Sequence, residues 1–339
     1  MMYSKFISFL KQIPLPICGL ILGLISLGNL LYSKGYPILG NSYDMLGLFL
    51  MFLILLKIVL AMKHTISTLN DPIVASVSPT FTMSLMVLSV FLKRLSAFSL
   101  LANVTWWTAL ILHLILMMYF IYLHVLPKEL KIHDVYPSWF ITFVGIGVIS
   151  ATSPDFGLEV GKVVVWITLL FYFILLPIVM HRVFILRKMH KSLLPLITNI
   201  TAPGSLGLVG YLTVVEAKSK IFVIFLFILS QAIYFITLGL LTKLLRSAFY
   251  SSYAAFTFPL VISATAVNLT SKLSVFQFLN LELLANMEIL IAIAIVTYVL
   301  IRYYIFLEVA EQQPGHALVA QHVTVRAVRA VRVVRRRGW

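Results

Sequence analysis

Long apolar stretches alternate with short polar connections along almost the whole chain. A helix that crosses the hydrocarbon core of a bilayer needs about 20 apolar residues, and ten stretches come close to or exceed this length. The connections are too short to hold a separate soluble domain. We therefore predict an all-α integral membrane protein with ten transmembrane helices. These are expected at residues 14–31, 44–62, 76–92, 97–124, 136–153, 158–180, 193–215, 220–241, 249–269 and 283–307.

The composition excludes an ordinary soluble enzyme. Of the 339 residues, 61% are hydrophobic and only 11% are charged, against roughly a quarter charged in soluble domains. The net charge of +15 would suggest nucleic acid as the partner of a soluble protein. In a membrane protein the position of the charges matters more, so the lipid bilayer is the expected partner and nucleic acid is not.

The distribution of Lys and Arg predicts the orientation. With a cytoplasmic N-terminus, eighteen of the 26 Lys and Arg residues lie on the cytoplasmic side and seven on the other side, while Lys57 lies inside the second stretch. Basic residues concentrate on the cytoplasmic face of membrane proteins. Both termini are therefore expected in the cytoplasm, and the short polar termini favour a prokaryotic inner membrane.

The two ends of the chain differ from the ten-helix domain predicted at 13–307. Residues 1–12 are expected to form a cytoplasmic segment that is either an interfacial amphipathic helix or a solvated lead-in. Residues 308–339 contain six arginines and no lysine in a low-complexity pattern. This tail is expected to be disordered or to come from a shifted reading frame, although an arginine stripe could also contact anionic lipid.

Proline separates the odd-numbered stretches from the even-numbered ones. Every odd stretch carries proline and none contains Asp, Glu, Lys or Arg, whereas the even stretches include Asp44, Lys57, Lys162 and Glu288. A bent helix with freed backbone groups is tolerated where protein or water surrounds it. We therefore predict five helical hairpins, in which five proline-bent odd helices form an inner pore. Proline is also frequent in membrane helices generally, and this simpler explanation stays open. The prolines are Pro14, Pro16, Pro79, Pro137, Pro195, Pro203 and Pro259.

Local motifs in the odd stretches identify a family. IPLPICGLILGL, SPTFTMSL, YPSWFITFVGIGVIS, TAPGSLGLVGYL and YAAFTFPLVISATAV follow one another in order. Together they resemble the tellurite-resistance/dicarboxylate transporter family, which includes bacterial TehA, fungal malate and sulfite transporters and the slow anion channels of plant guard cells. The resemblance spans about 13–306. It implies ten helices, a pore formed by the proline-bent odd helices, and a homotrimer with one pore in each subunit.

The resemblance also implies a gate. In the family, a phenylalanine in an F-P motif of the ninth helix occludes the pore, and Phe258 before Pro259 matches that position. An aromatic ring in a narrow passage closes it by excluding water. Phe256, two residues earlier, is expected to point elsewhere.

The lack of charge on the odd helices favours a channel. Without a cationic residue, small inorganic or organic anions would be stabilised by backbone amides near the bends, by the overall positive field and by hydroxyl groups. Weak, distributed stabilisation favours conduction over tight capture. The hydroxyl candidates are Thr142, Thr201, Thr257 and Thr265.

Two other functions are alternatives to a channel. A proton-coupled or exchange transporter of C4-dicarboxylates such as malate, or of sulfite, would need an intramembrane titratable group. An intramembrane enzyme is less expected, because no H-E-x-x-H motif occurs and His113 and His124 lack carboxylate partners at metal-ligand spacing. The absence of a Walker loop likewise disfavours ATP-driven pumping by this chain alone. No metal or cofactor is predicted, and the single Cys18 allows no intrachain disulfide. The titratable candidates are Glu288, Asp44, His113 and Lys57, each of which could instead form an interhelical pair or snorkel.

Overall fold

The computed structural model describes residues 2–127, 129–187, 189–276 and 279–312. Throughout these ranges all regular secondary structure is helical. The α-helices are α1 (Met2–Gln12), α2 (Ile17–Ser33), α3 (Pro37–Leu60), α4 (Met62–Thr68), α5 (Pro72–Val77), α6 (Thr80–Arg94), α7 (Ser99–Phe120), α8 (Trp139–Phe143), α9 (Gly147–Thr152), α10 (Leu158–Met180), α11 (Thr201–Val214), α12 (Lys220–Leu244), α13 (Phe258–Thr270) and α14 (Leu281–Gln312).

Within the described ranges, eight helical segments are long and apolar enough to cross a membrane, or nine if a bent pair forms one span. The bent pair consists of Lys5–Gln12 of α1 and the whole of α2, whose axes differ by 76°, and only α2 corresponds to the first predicted span. The fifth predicted span is divided into the short helices α8 and α9. The multi-pass, all-helical membrane architecture is therefore confirmed, whereas the count of ten stays a prediction.

Burial separates the helices into two groups. In the spans Pro72–Arg94, Lys191–Val214 and Ser251–Thr270, between 78 and 89% of the most apolar window is buried. The corresponding fraction is 28–44% in the five spans that contain α3, α7, α10, α12 and α14. The first group therefore lies inside the molecule, and the second group presents large apolar side chains outward, as a lipid-facing surface does.

The buried helices contact one another in a closed order. Helix α2 packs on α6, α6 on α9, α9 on α11, α11 on α13, and α13 returns to α2. Each of these helices also contacts the outer helix that follows it: α3, α7, α10, α12 and α14, respectively. The fold thus places five inner segments around a common axis.

Most of the predicted prolines lie at breaks in the inner segments. Pro79 separates α5 from α6, and Pro203 and Pro259 lie in the first turns of α11 and α13. The 3₁₀ segments Lys191–Ile200, which contains Pro195, and Ser251–Phe256 precede those two helices. Pro14 and Pro16 lie in the turn between α1 and α2.

The third inner segment, which corresponds to the fifth predicted span, is the exception, because its break is at Gly145 rather than at Pro137. Pro137 lies in the turn before α8. The carbonyl of Phe140 accepts hydrogen bonds from the backbone N–H groups of both Val144 and Gly145 at 2.9 Å, which closes α8 early. A Cβ at residue 145 would lie 2.1 Å from the Ile141 carbonyl oxygen, so this close turn requires glycine.

Helices α1 and α14 lie at the predicted domain boundaries. The segment predicted at 1–12 contains α1, and the Lys57 side chain of α3 donates hydrogen bonds to backbone carbonyls near its end, including that of Ile13. Helix α14 continues to Gln312, past the predicted boundary at 307. The remainder of the predicted tail, 313–339, lies outside the described residues.

Candidate functional site

A cavity of about 40 Å³ lies where the inner segments break. This volume holds roughly two or three water molecules. All five inner segments contribute to its wall, and the contributing positions are close to the breaks. They include Pro16 and Gly19 of the first segment, Thr80 of the second, Ile141 and Gly145 of the third, Ala202 and Pro203 of the fourth, and Phe258 and Pro259 of the fifth.

Four of the longer inner helices begin at this cavity. Helices α2, α6, α11 and α13 each place residues from their first two turns on its wall. A helix carries a partial positive charge at its N-terminus, and this favours an anion nearby. Each of these four N-termini therefore directs a partial positive charge towards the cavity.

The wall itself is mostly apolar and uncharged. Among the described residues that line the cavity there is no Asp, Glu, Lys, Arg or His. A small anion would meet dipoles and a few polar groups, so it could leave as easily as it entered. This arrangement matches the weak, distributed stabilisation expected from the sequence.

Phe258 and Phe256 occupy different environments. Phe258 lines the cavity, and 7% of its surface is exposed. Phe256 is fully buried and packs on Tyr253, with ring centroids 4.8 Å apart. Of these two residues, the structure places Phe258 on the cavity wall, where Phe140 of α8 also lies, and whether Phe258 acts as a gate stays a prediction.

The predicted hydroxyl groups serve the fold rather than the cavity. Thr142 donates a hydrogen bond to the carbonyl of Ser76 at 2.9 Å, and Thr257 donates to the carbonyl of Gly19 at 2.9 Å. Thr265 donates to a carbonyl one turn back in its own helix. A hydroxyl has one proton to donate, so these three hydroxyls are occupied.

The fourth predicted hydroxyl is also displaced from the cavity. Thr201 is buried, and its oxygen has no hydrogen-bond partner among the described residues, but it does not lie on the wall. Its orientation follows from the start of α11, where Ala202 and Pro203 face the cavity instead. None of the four threonines therefore lines this cavity, and their contact with an anion stays a prediction.

Three polar side chains that the sequence did not predict line the cavity. They are Thr80, Asn199 and Ser252. Thr80 and Ser252 donate their protons to backbone carbonyls at 2.8 and 2.6 Å. Asn199 lies two residues before Thr201, at the end of a 3₁₀ segment, and its position next to the proline motif TAPG was the only signal available.

Three of the four intramembrane titratable candidates have partners. Asp44 pairs with Arg94 at the end of α6, and Lys57 donates to backbone carbonyls near the end of α1. His113 is hydrogen-bonded to Thr82 at 2.8 Å. These contacts favour the interpretation of the first two as interhelical pairs.

Glu288 differs from these three residues. It is buried in α14 beside Gln231 of α12 and Ser263 of α13. Neither carboxyl oxygen forms a hydrogen bond of normal geometry within the described residues. It is therefore the titratable candidate that lies beside polar side chains of α12 and of the inner helix α13.

Outside the spans, Asp71 stabilises the entry to the second inner segment. Its carboxyl accepts hydrogen bonds from the backbone N–H groups of Ile73 and Val74 at 2.9 and 3.1 Å, so it caps α5. Burial raises the pKa of this carboxyl, and the two N–H groups oppose that effect.

A metal centre is not evident in the part of the chain that the structure describes. There, no group of three or more His, Cys, Asp or Glu side chains is placed to hold an ion.

Comparison with known proteins identifies the family. A search of curated proteins finds no match. The family model described as "Voltage-dependent anion channel", SLAC1, matches residues 12–304, which covers α2 to α13 and most of α14. This family comprises anion channels and transporters rather than enzymes. The chain therefore belongs to the voltage-dependent anion channel family and is a multi-pass membrane protein of an anion channel or transporter type.

Proposed function

We propose that the chain forms a TehA-like anion channel in which small inorganic or organic anions pass along the axis of the five inner segments. Ten transmembrane helices, arranged as five hairpins, enclose this passage. Phe258 is the gate, and the bend at Pro259 lets a small movement of α13 or of the ring open it.

The cavity at the five breaks is the observation that carries this proposal. It combines a largely apolar wall, converging helix N-termini and an aromatic side chain from the segment that matches the F-P motif. The absence of charge among its described lining residues favours passage over tight binding.

We further propose that the protein is a homotrimer in the inner membrane with both termini in the cytoplasm. In this orientation the cavity lies towards the cytoplasmic ends of the inner segments. Each subunit would contain a complete passage, because the ring of contacts closes within one chain.

The test is anion current through the purified protein in a planar bilayer, for the unmodified chain and for Phe258→Ala. Loss of the ring from the cavity wall is expected to raise chloride conductance by at least tenfold, with an ohmic and anion-selective current. Nitrate, sulfite and malate in place of chloride then define the preferred anion.

Two matched variants separate gating from general loss of an aromatic side chain. Phe225→Ala removes a ring from the outward surface of α12, and Phe256→Ala removes one from the core next to α13. Neither is expected to raise conductance. An equal rise in either control, or no rise in Phe258→Ala, would contradict the gate.

The second candidate is a proton-coupled or exchange transporter of C4-dicarboxylates or sulfite. The buried carboxyl of Glu288 beside Ser263 of α13 favours it, since coupling needs a titratable group next to a moving helix. In vesicles, this function predicts saturable malate or sulfite uptake that depends on a pH gradient, in place of a voltage-driven current.

A further inference from the structure

We propose that the side-chain amide of Asn199 is the hydrogen-bond donor that contacts a partly dehydrated anion in the cavity. This inference rests on the proposed function, since it assigns an anion-binding residue within the same passage. The ligand class is a small anion, such as a halide or a compact oxyanion.

The position of Asn199 supports this role. It is the penultimate residue of the 3₁₀ segment before α11, and 4% of its surface is exposed. It lines the cavity together with Ala202 and Pro203 of the following turn. Its amide therefore lies at the positive end of α11, where an anion is favoured.

The hydrogen bonds around the cavity leave this amide uncommitted. Of the three polar side chains on the described wall, Thr80 and Ser252 donate their protons to backbone carbonyls. Asn199 Nδ2 is buried and forms no hydrogen bond with the described residues. A buried amide N–H without a partner is costly, and once the terminal amide turns Nδ2 towards the cavity, an anion there would supply the missing acceptor.

The chemistry of the amide suits passage. The side chain offers two N–H donors and no formal charge, so it compensates part of the lost hydration without trapping the ion. Rotation of the terminal amide about its last bond lets either end face the cavity. Asn199 would thus discriminate by how readily an anion exchanges water for an amide donor.

The first test measures chloride binding by thermal unfolding of the purified protein, with gluconate as the bulky reference anion. Chloride is expected to raise the unfolding midpoint of the unmodified chain. Asn199→Leu, which keeps the side-chain size but removes the donors, is expected to lose this increase, and so is Asn199→Asp. Asn103→Leu and Asn103→Asp, on the outer helix α7, are the matched controls and are expected to retain it. A full chloride-dependent shift in Asn199→Leu would overturn the inference.

The second test measures chloride conductance in the Phe258→Ala background. Asn199→Asp is expected to lower it at least tenfold and Asn199→Leu at least threefold, while the Asn103 variants stay within twofold of the background. If the background conducts and the Asn199 variants conduct equally, the inference fails and the proposed channel stands. If the background does not conduct but Asn199→Leu abolishes the chloride-dependent shift, the binding residue stands and the proposed channel fails.

Discussion

The packing around Phe258 depends on a glycine in another helix. A Cβ at Gly23 of α2 would lie 2.5 Å from the Cβ of Thr257 and 3.2 Å from the backbone nitrogen of Phe258. Only a hydrogen side chain permits this approach between α2 and the start of α13. In membranes, small residues of this kind let helix backbones pack closely.

Gly23→Ala is therefore expected to displace α13 from α2 and to lower the free energy of unfolding by about 1–3 kcal/mol, the usual cost of overpacking. Thermal unfolding in detergent measures the loss. Thr257, which the added methyl group would displace, adjoins Phe258, so the anion conductance should change as well.

Gly239→Ala is the matched control, because nothing lies within 4 Å of a Cβ at that position in α12. Alanine has a higher helix propensity than glycine, so this variant should be neutral or slightly more stable. A loss of stability at Gly239 equal to that at Gly23 would show that the close approach is not the cause.

The directions of individual polar side chains could not be predicted from the sequence. Thr142 and Thr257 were expected to contact anions, but their hydroxyl protons link neighbouring inner segments through backbone carbonyls. Asn199 was missed, because no periodicity distinguishes a cavity-facing amide from a core amide. Side-chain direction at a break depends on the local backbone, which the sequence pattern does not specify.

Among the helices, the end of α6 is tied to two neighbours by one charged side chain. Arg94 pairs with the fully buried Asp44 of α3 and donates a hydrogen bond to Asn29 of α2 at 2.8 Å. Its guanidinium group also lies over the ring of Tyr32, 4.2 Å from the ring centroid. The Arg94 side chain thus joins the inner helices α2 and α6 to the outer helix α3.

Asp44→Asn is expected to destabilise the protein by about 3 kcal/mol, because it leaves a largely buried guanidinium without its counter-charge. Chemical or thermal unfolding in detergent measures the change.

Glu216→Gln provides the comparison, because Glu216 pairs with Lys162 in an exposed position. Solvent-exposed pairs contribute little, so no measurable change is expected there. Equal stability of Asp44→Asn and the unmodified chain would contradict a structural role for the buried pair.

The inner segments also show two ways of breaking a helix. Pro79, Pro203 and Pro259 lie at breaks that their missing N–H groups favour, as the sequence predicted. In the third inner segment the break falls at Gly145, eight residues after Pro137. The break at Gly145 brings its Cα close to the Ile141 carbonyl oxygen, where no Cβ would fit. The sequence pattern does not predict this close approach.

For the complete protein, the number and direction of the spans can be tested by labelling. Ten spans place Lys131 in the cytoplasm and Asp155 on the opposite face, because the fifth predicted span crosses the membrane between them. Both residues are exposed, whereas the single native Cys18 is buried and gives little background.

Lys131→Cys is expected to react with a membrane-impermeant thiol reagent only in inside-out vesicles, and Asp155→Cys only in right-side-out vesicles. Reaction of both positions from one face would show that the fifth predicted span enters and leaves the membrane on the same side. If each position instead reacts only from the other face, the protein has the reverse of the proposed orientation.

The long apolar stretches and low charge of the chain determined that it is a multi-pass helical membrane protein, because a bilayer leaves few other ways to satisfy the hydrogen bonds of the backbone. The proline-rich motifs determined the family. Only the tertiary structure decided that the breaks share one cavity, that Phe258 and not Phe256 lies on its wall, and that Asn199 is the uncommitted amide there. These features depend on contacts between residues as far apart in sequence as Gly19 and Thr257, and such contacts arise only when the ring of inner segments closes.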